Sequence, residues 1–205
     1  VDTLRRGRDA EKWRSQVRAC YQGRVAARRR GKSPYYYRRL IRRMGHVVPA
    51  GARVLDIGCG EGDMLAALNP AHGVGIDLVQ EHVDRARRKH PELRFEHMRA
   101  EDLQHLDETF DYILISQTLS EIYDVVTLLR SLHTLCHDRT RLIIVNYSRL
   151  WQPALRVAEW IGIKPKPPLQ NWLPGDEIRN LLGLAGWETI RTVGEWVRGL
   201  RPNWN

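Results

Sequence analysis

Residues 54–62 read Val-Leu-Asp-Ile-Gly-Cys-Gly-Glu-Gly. A short apolar run that meets a carboxylate passes into three glycines at alternate positions, and the apolar run Met64 to Leu68 follows. Strand, glycine turn, helix is the nucleotide crevice of a doubly wound sheet, where glycine lets backbone approach a ligand closely. The fold expected is therefore α/β, with a mostly parallel sheet. Two phosphate-binding turns are excluded by their spacing. A dinucleotide fingerprint needs G-x-G-x-x-G, and Asp63 stands at the third glycine. A P-loop needs a glycine five positions before Gly31-Lys32-Ser33, where this chain has Ala26 after no strand.

Downstream residues extend the pattern. Gly73 to Asp77 reads as a second strand, and Asp77 lies 19 positions beyond Gly58. That is about where the acidic residue of a βαβ nucleotide unit grips a ribose diol. A third strand, Leu93 to Met98, leads into Ala100-Glu101-Asp102. A fourth, Tyr112 to Ile115, follows Phe110-Asp111. Asp56, Asp77 and Glu101-Asp102 then converge on the carboxyl edge of one sheet. An acidic edge with G-x-G-x-G suits a cationic ligand without phosphate, such as S-adenosylmethionine.

In these motifs, over about residues 35–193, the chain resembles the class I S-adenosylmethionine-dependent methyltransferases. The resemblance implies a Rossmann-like sheet and that cofactor. It implies that Asp56 and the turn Gly58-Cys59-Gly60 face the methionine part, and that Asp77 binds the ribose. The segment Ala100, Glu101, Asp102 would hold adenine, and Leu78 and Ser116 complete the expected cofactor set. Many relatives carry Asp-Ala after the third strand, where this chain has Arg99-Ala100. The adenine contact is therefore expected from Ala100 backbone and from Glu101 or Asp102. Tyr35-Tyr36-Tyr37-Arg38-Arg39-Leu40, Asn146-Tyr147-Ser148-Arg149-Leu150-Trp151 and Gln170-Asn171-Trp172-Leu173 are similar to the methyltransferase half of bacterial proteins fused to a family 2 glycosyltransferase. Ser116-Gln117-Thr118-Leu119 resembles the methionine biosynthesis protein W family.

Charge divides the chain. Residues 1–44 hold 15 Lys or Arg against 3 Asp or Glu, while the remainder holds 18 against 21. The expected organisation is a basic helical arm over 1–45 and a cofactor-binding domain over 46–205, with 147–173 as an inserted lid. Trp13, Val17, Cys20, Tyr21 and Val25 fall near one helical stripe of the arm. The arm can attract an anionic partner. Aromatics do not interleave with its arginines, which disfavours nucleic acid. No apolar run approaches the ~20 residues of a membrane helix. Three dispersed cysteines, Cys20, Cys59 and Cys136, form no metal or disulfide pattern, so a reducing cytoplasm and no metal are expected.

The remaining segments read as helices Gln80 to Lys89, Ile122 to Leu135, Pro153 to Ile161 and Glu177 to Leu184, and strands Arg141 to Val145 and Trp187 to Val193. His82 and Arg87-Arg88-Lys89 read as solvated, and no seventh strand is convincing. Methyl transfer from a sulfonium needs alignment of the acceptor, and a base only where a proton must leave. Gln117, Tyr147, Tyr36 and Tyr37 are the acceptor-side candidates. His133 and His137, late on a helix, read as capping residues rather than bases. Asn-Pro-Pro-Tyr, Pro-Cys and Asp-Asp-Asn sets are absent, against nucleobase-amine, cytosine C5 and catechol-type chemistry. The function expected is methyl transfer to a small, sugar-, phosphate- or lipid-linked acceptor. The alternatives are a noncatalytic cofactor-binding regulator and an RNA methyltransferase using the basic arm.

Overall fold

A computed structural model describes residues 2–26, 34–146 and 173–192. Helices α1 (Asp2–Ala26) and α2 (Pro34–Gly45) precede an alternating series. It runs β1 (Arg53–Ile57), α3 (Asp63–Ala67), β2 (His72–Asp77), α4 (Gln80–Lys89), β3 (Arg94–His97), β4 (Phe110–Ser116), α5 (Val125–Ser131), β5 (Cys136–Val145) and α6 (Gly175–Leu184). The described strands form one parallel sheet in the order β3-β2-β1-β4-β5. The chain therefore winds one way from β1 to β3, then crosses back to lay β4 on the other side of β1. The carboxyl ends of β1 and β4 form the switch point where such sheets bind ligands.

Strand periodicity sorts the core into two faces. Leu55, Ile57, Val74, Ile76, Ile113 and Ile115 pack with Leu128, Leu129 and Leu132 on one face. Val54, Phe95 and Leu114 pack with Leu40, Met44, Met64, Leu65, Val83 and Ala86 on the other. α2 joins the second face through Leu40 and Met44, one turn apart, while Arg38, Arg39, Arg42 and Arg43 lie exposed. Pro34 opens α2, where its missing N–H costs nothing. α4 carries Glu81 in its first turn and Arg87, Arg88 and Lys89 in its last, as the helix dipole favours.

Several elements depart from the expected ones. The helix expected from Ile122 begins only at Val125, because the Asp124 carboxylate accepts from the Thr127 N–H at 2.9 Å and sets the cap there. Leu119–Glu121 and Leu132–Leu135 are short 3₁₀ turns. β5 reaches back to Cys136, where Thr140 Oγ1 donates to the Phe110 carbonyl and secures the irregular start. The expected sixth strand is not formed in its described part, 187–192. Trp187 turns instead onto α5: its indole N–H donates to the Leu129 carbonyl at 2.8 Å, and its ring stacks on His133 at 4.7 Å. Tyr147, the helix Pro153 to Ile161 and the proposed lid 147–173, except Leu173, lie outside the described residues.

Candidate cofactor crevice

The glycine turn is held by the strand beside it. The N–H groups of Gly58 and Cys59 both donate to the Ile76 carbonyl, at 2.8 and 3.0 Å. Gly58, Gly60 and Gly62 all take left-handed backbone, with φ of 76°, 58° and 80°, which glycine alone adopts freely. Their surroundings differ. A side chain on Gly62 would strike the Phe95 ring, and one on Gly58 would strike Thr118, which follows β4. A Cβ on Gly60 would meet nothing within 4 Å. Gly60 thus borders open space at the mouth of the crevice.

Asp77, the last residue of β2, is 9 % exposed. Its Oδ2 accepts from the Gly60 N–H at 2.8 Å and its Oδ1 from the Val79 N–H at 2.9 Å. A carboxylate has about four acceptor positions, and these two N–H groups occupy one on each oxygen, which fixes the turn to the end of β2. The Leu78 carbonyl faces His97 Nε2 at 3.1 Å. Asp56 is buried within β1 on the α2 side of the sheet. Tyr37 of α2 lies near it. Burial first, then the carboxylates of Asp56 and Asp63, push the Tyr37 hydroxyl above its ordinary pKa, against a hydrogen bond from the Met64 N–H. Tyr37 is therefore a donor at neutral pH and not a base. Cys59 is buried, with its sulfur against Gly75.

The walls beyond β3 and β4 complete the edge. Ala100 is half-buried against the core. The Asp102 carboxylate is engaged by Arg99, at 2.6 Å from Nε and 3.1 Å from Nη2. The Glu101 carboxylate is engaged by Arg14 of α1, at 3.2 and 3.3 Å. At the end of β4, Ser116 is 8 % exposed and its Oγ has no hydrogen-bond partner. The Gln117 N–H donates to the Val145 carbonyl at 2.7 Å, which holds the residue at φ 62°. Its buried amide Nε2 is likewise without a partner. Strained backbone and unmatched buried polar atoms gather at sites that await a ligand.

Some residues lie where sequence reasoning did not place them. His82 is not solvated: its Nδ1 lies 3.2 Å from Asp77 Oδ1, and its ring meets Tyr21 edge-on at 5.9 Å. Arg87, Arg88 and Lys89 are exposed as expected, while Arg87 also donates to the Phe95 carbonyl and Lys89 pairs with Asp63. His133 faces the Ala185 carbonyl and His137 faces Asp111, both remote from the carboxyl edge. Glu121, just past β4, was missed. Its carbonyl accepts from the Trp13 indole at 2.8 Å and its carboxylate from the Tyr21 hydroxyl. The helical stripe holding Trp13 and Tyr21 was the available signal, but nothing local named its target. Among the described residues no cluster of His, Cys, Asp and Glu is arranged to hold a metal ion, and no helix is long and apolar enough to cross a membrane.

The open cradle at Gly60, the Asp77 carboxylate and the unmatched Ser116 and Gln117 atoms fit a nucleoside-bearing cofactor at this switch point. Comparison with known proteins agrees. A family model described as a methyltransferase domain matches residues 27–192. The chain is 33% identical over 103 residues to the bifunctional methionine biosynthesis protein MetXA/MetW of Rhodopirellula baltica, covering 42% of this chain and 16% of that protein. It is 32% identical over 181 residues to the O-methyltransferase cnsE of Penicillium expansum, covering 80% of this chain and 63% of that one. The chain thus spans less than two thirds of either relative. Its fold is similar to that of magnesium protoporphyrin IX methyltransferase from Synechocystis, solved with bound SAH, with a TM-score of 0.66, 18% identity, and 87% and 91% of the two chains covered. With four fifths of its length inside the family model, the chain belongs to the S-adenosylmethionine-dependent methyltransferases.

Proposed function

We propose that this chain moves the methyl group of S-adenosylmethionine onto a small-molecule acceptor held on the β4 side of the crevice. The observation that carries this reading is Gln117. It is a non-glycine residue in left-handed backbone, with a buried unmatched amide, at the strand end that faces the glycine turn. When bound, the cofactor supplies an electrophilic methyl carbon, and the protein's part is orientation. Asp77 would accept from the ribose hydroxyls with its remaining lone pairs. The Gly58–Cys59–Gly60 backbone and Asp56 would face the methionine end, and Leu78, Ala100, Glu101 and Asp102 would flank the adenosine. With Glu101 on Arg14 and Asp102 on Arg99, the adenine contacts fall chiefly to the Ala100 backbone. Ser116 and Gln117 would donate across the reacting centre, and Tyr37 would add a donor from α2.

The similarity of the Tyr35–Leu40, Asn146–Trp151 and Gln170–Leu173 motifs to glycosyltransferase-fused proteins supports a sugar-, phosphate- or lipid-linked acceptor. Tyr36 and Tyr147 belong to those motifs and remain acceptor-side candidates. The likeness to MetXA/MetW keeps a second reading in view, a cofactor-binding regulator without turnover. Tritiated-methyl turnover against pooled small metabolites and against total RNA tests the proposal. Label in the metabolite pool supports it, and label in RNA would replace it with the basic-arm reading. Cofactor binding with no label in either pool would favour the regulator.

A further inference from the structure

We propose that α1 is a strap across the cofactor crevice, and that bound cofactor leaves only when α1 undocks. The proposal rests on the placement of S-adenosylmethionine at the β1–β4 switch point given above. One helix touches the segments that follow three strands. Arg14 pairs with Glu101 beyond β3. Gln22 donates to Glu81, and Tyr21 meets His82, both in the first turns of α4 beyond β2. Trp13 and Tyr21 reach Glu121 beyond β4. These segments are the two walls between which a nucleoside would lie. A helix fastened to both walls spans the gap.

The seam has the character of a reversible contact. Ala10 and Val17 are the only buried apolar residues of α1 among those described, and neither belongs to either core cluster. Among the described residues, hydrogen bonds, an ion pair and the edge-on ring contacts of Trp13 with Tyr123 and of Tyr21 with His82 do the remaining work, and two buried atoms along the seam, Arg18 Nε and Glu81 Oε2, have no partner. Elements held by few apolar contacts open at low cost. α2 differs, since its apolar stripe lies inside the core. The link to the ligand runs through Asp77: His82 touches that carboxylate and Tyr21 at once. A cofactor that steadies Asp77 and the two walls must favour docking of α1, and docking must favour the cofactor to the same degree.

The test uses S-adenosylhomocysteine as probe on the full chain and on Arg14→Ala/Tyr21→Phe, which leaves every crevice residue in place. Hydrogen exchange over residues 9–22 should slow at least tenfold when the parent is saturated. The double variant should lose that slowing and release the probe at least tenfold faster in stopped flow. Exchange over 9–22 that ignores the bound probe, or a release rate within twofold of the parent, would overturn the strap. Calorimetry on the same samples separates the two claims. Heat of binding without an exchange effect removes only the strap, while absence of binding removes the cofactor placement and the strap with it.

Discussion

Individual glycines in the crevice do different jobs, and substitution should separate them. Gly60 opens onto space, so Gly60→Ala meets no atom and adds only the cost of left-handed backbone, about 1–2 kcal/mol. It should fold, yet bind S-adenosylhomocysteine at least tenfold more weakly, as read by calorimetry. Gly75 sits in β2 with the Phe95 ring 2.7 Å and Cys59 Sγ 2.9 Å from any added Cβ. Gly75→Ala should lower the thermal midpoint through overpacking of about 1–3 kcal/mol. Gln117 gives the converse case. Its backbone, at φ 62°, is one that glycine adopts freely. Gln117→Gly should leave thermal stability undiminished while cutting methyl turnover at least tenfold; equal losses of both would make Gln117 a structural residue.

At the scale of elements, α3 and α4 are stapled by one carboxylate. Asp63, in the first turn of α3, faces Lys89 and His90 at the end of α4. Burial raises its pKa, but the hydrogen bonds and charges of Lys89 and His90 outweigh this and hold the group below the ordinary carboxylate value. A depressed folded pKa means stability that is complete above the unfolded value, about 3.9, and lost as pH falls through the lower folded one. Asp63→Asn should therefore melt below the parent at pH 7, and the gap should close as pH falls below the ordinary carboxylate range. The element boundaries show how far local pattern reaches. α4 spans Gln80–Lys89 as expected, because Val83 and Ala86 mark one face between dipole-compatible ends. α5 begins three residues late because the Asp124 carboxylate caps the helix, a choice that apolar spacing does not record. The sixth strand is not formed over 187–192, where the Trp187 indole instead donates to the Leu129 carbonyl, 58 residues away. The glycine turn and Asp77 were legible because their chemistry is local. Glu121 and the His82–Tyr21 contact were not, because Trp13 and Tyr21 come from another part of the chain.

For the molecule as a whole, the basic arm divides between α1, which docks on the segments beyond β2, β3 and β4, and α2, whose Leu40 and Met44 enter a core cluster. Among the described residues, neither apolar cluster draws one from α1. Deleting residues 1–30 should leave a domain that unfolds cooperatively, still binds S-adenosylhomocysteine, and releases it faster; circular dichroism melts with stopped-flow release check this. A deletion that abolishes folding would place the arm in the core. The binding, turnover and release outcomes presuppose that the crevice between β1 and β4 is the cofactor site and that Asp77 is its anchor. Asp77 holds the turn through Gly60 and Val79, and would also accept ribose hydroxyls, each hydrogen bond to a charged group contributing about 1.5–3 kcal/mol. The most direct measurement is a calorimetric titration of S-adenosylmethionine into the parent and into Asp77→Ala. The expected result is one site per chain in the parent and at least a tenfold loss of affinity in the variant. No binding by the parent, or affinities within threefold of each other, would contradict it.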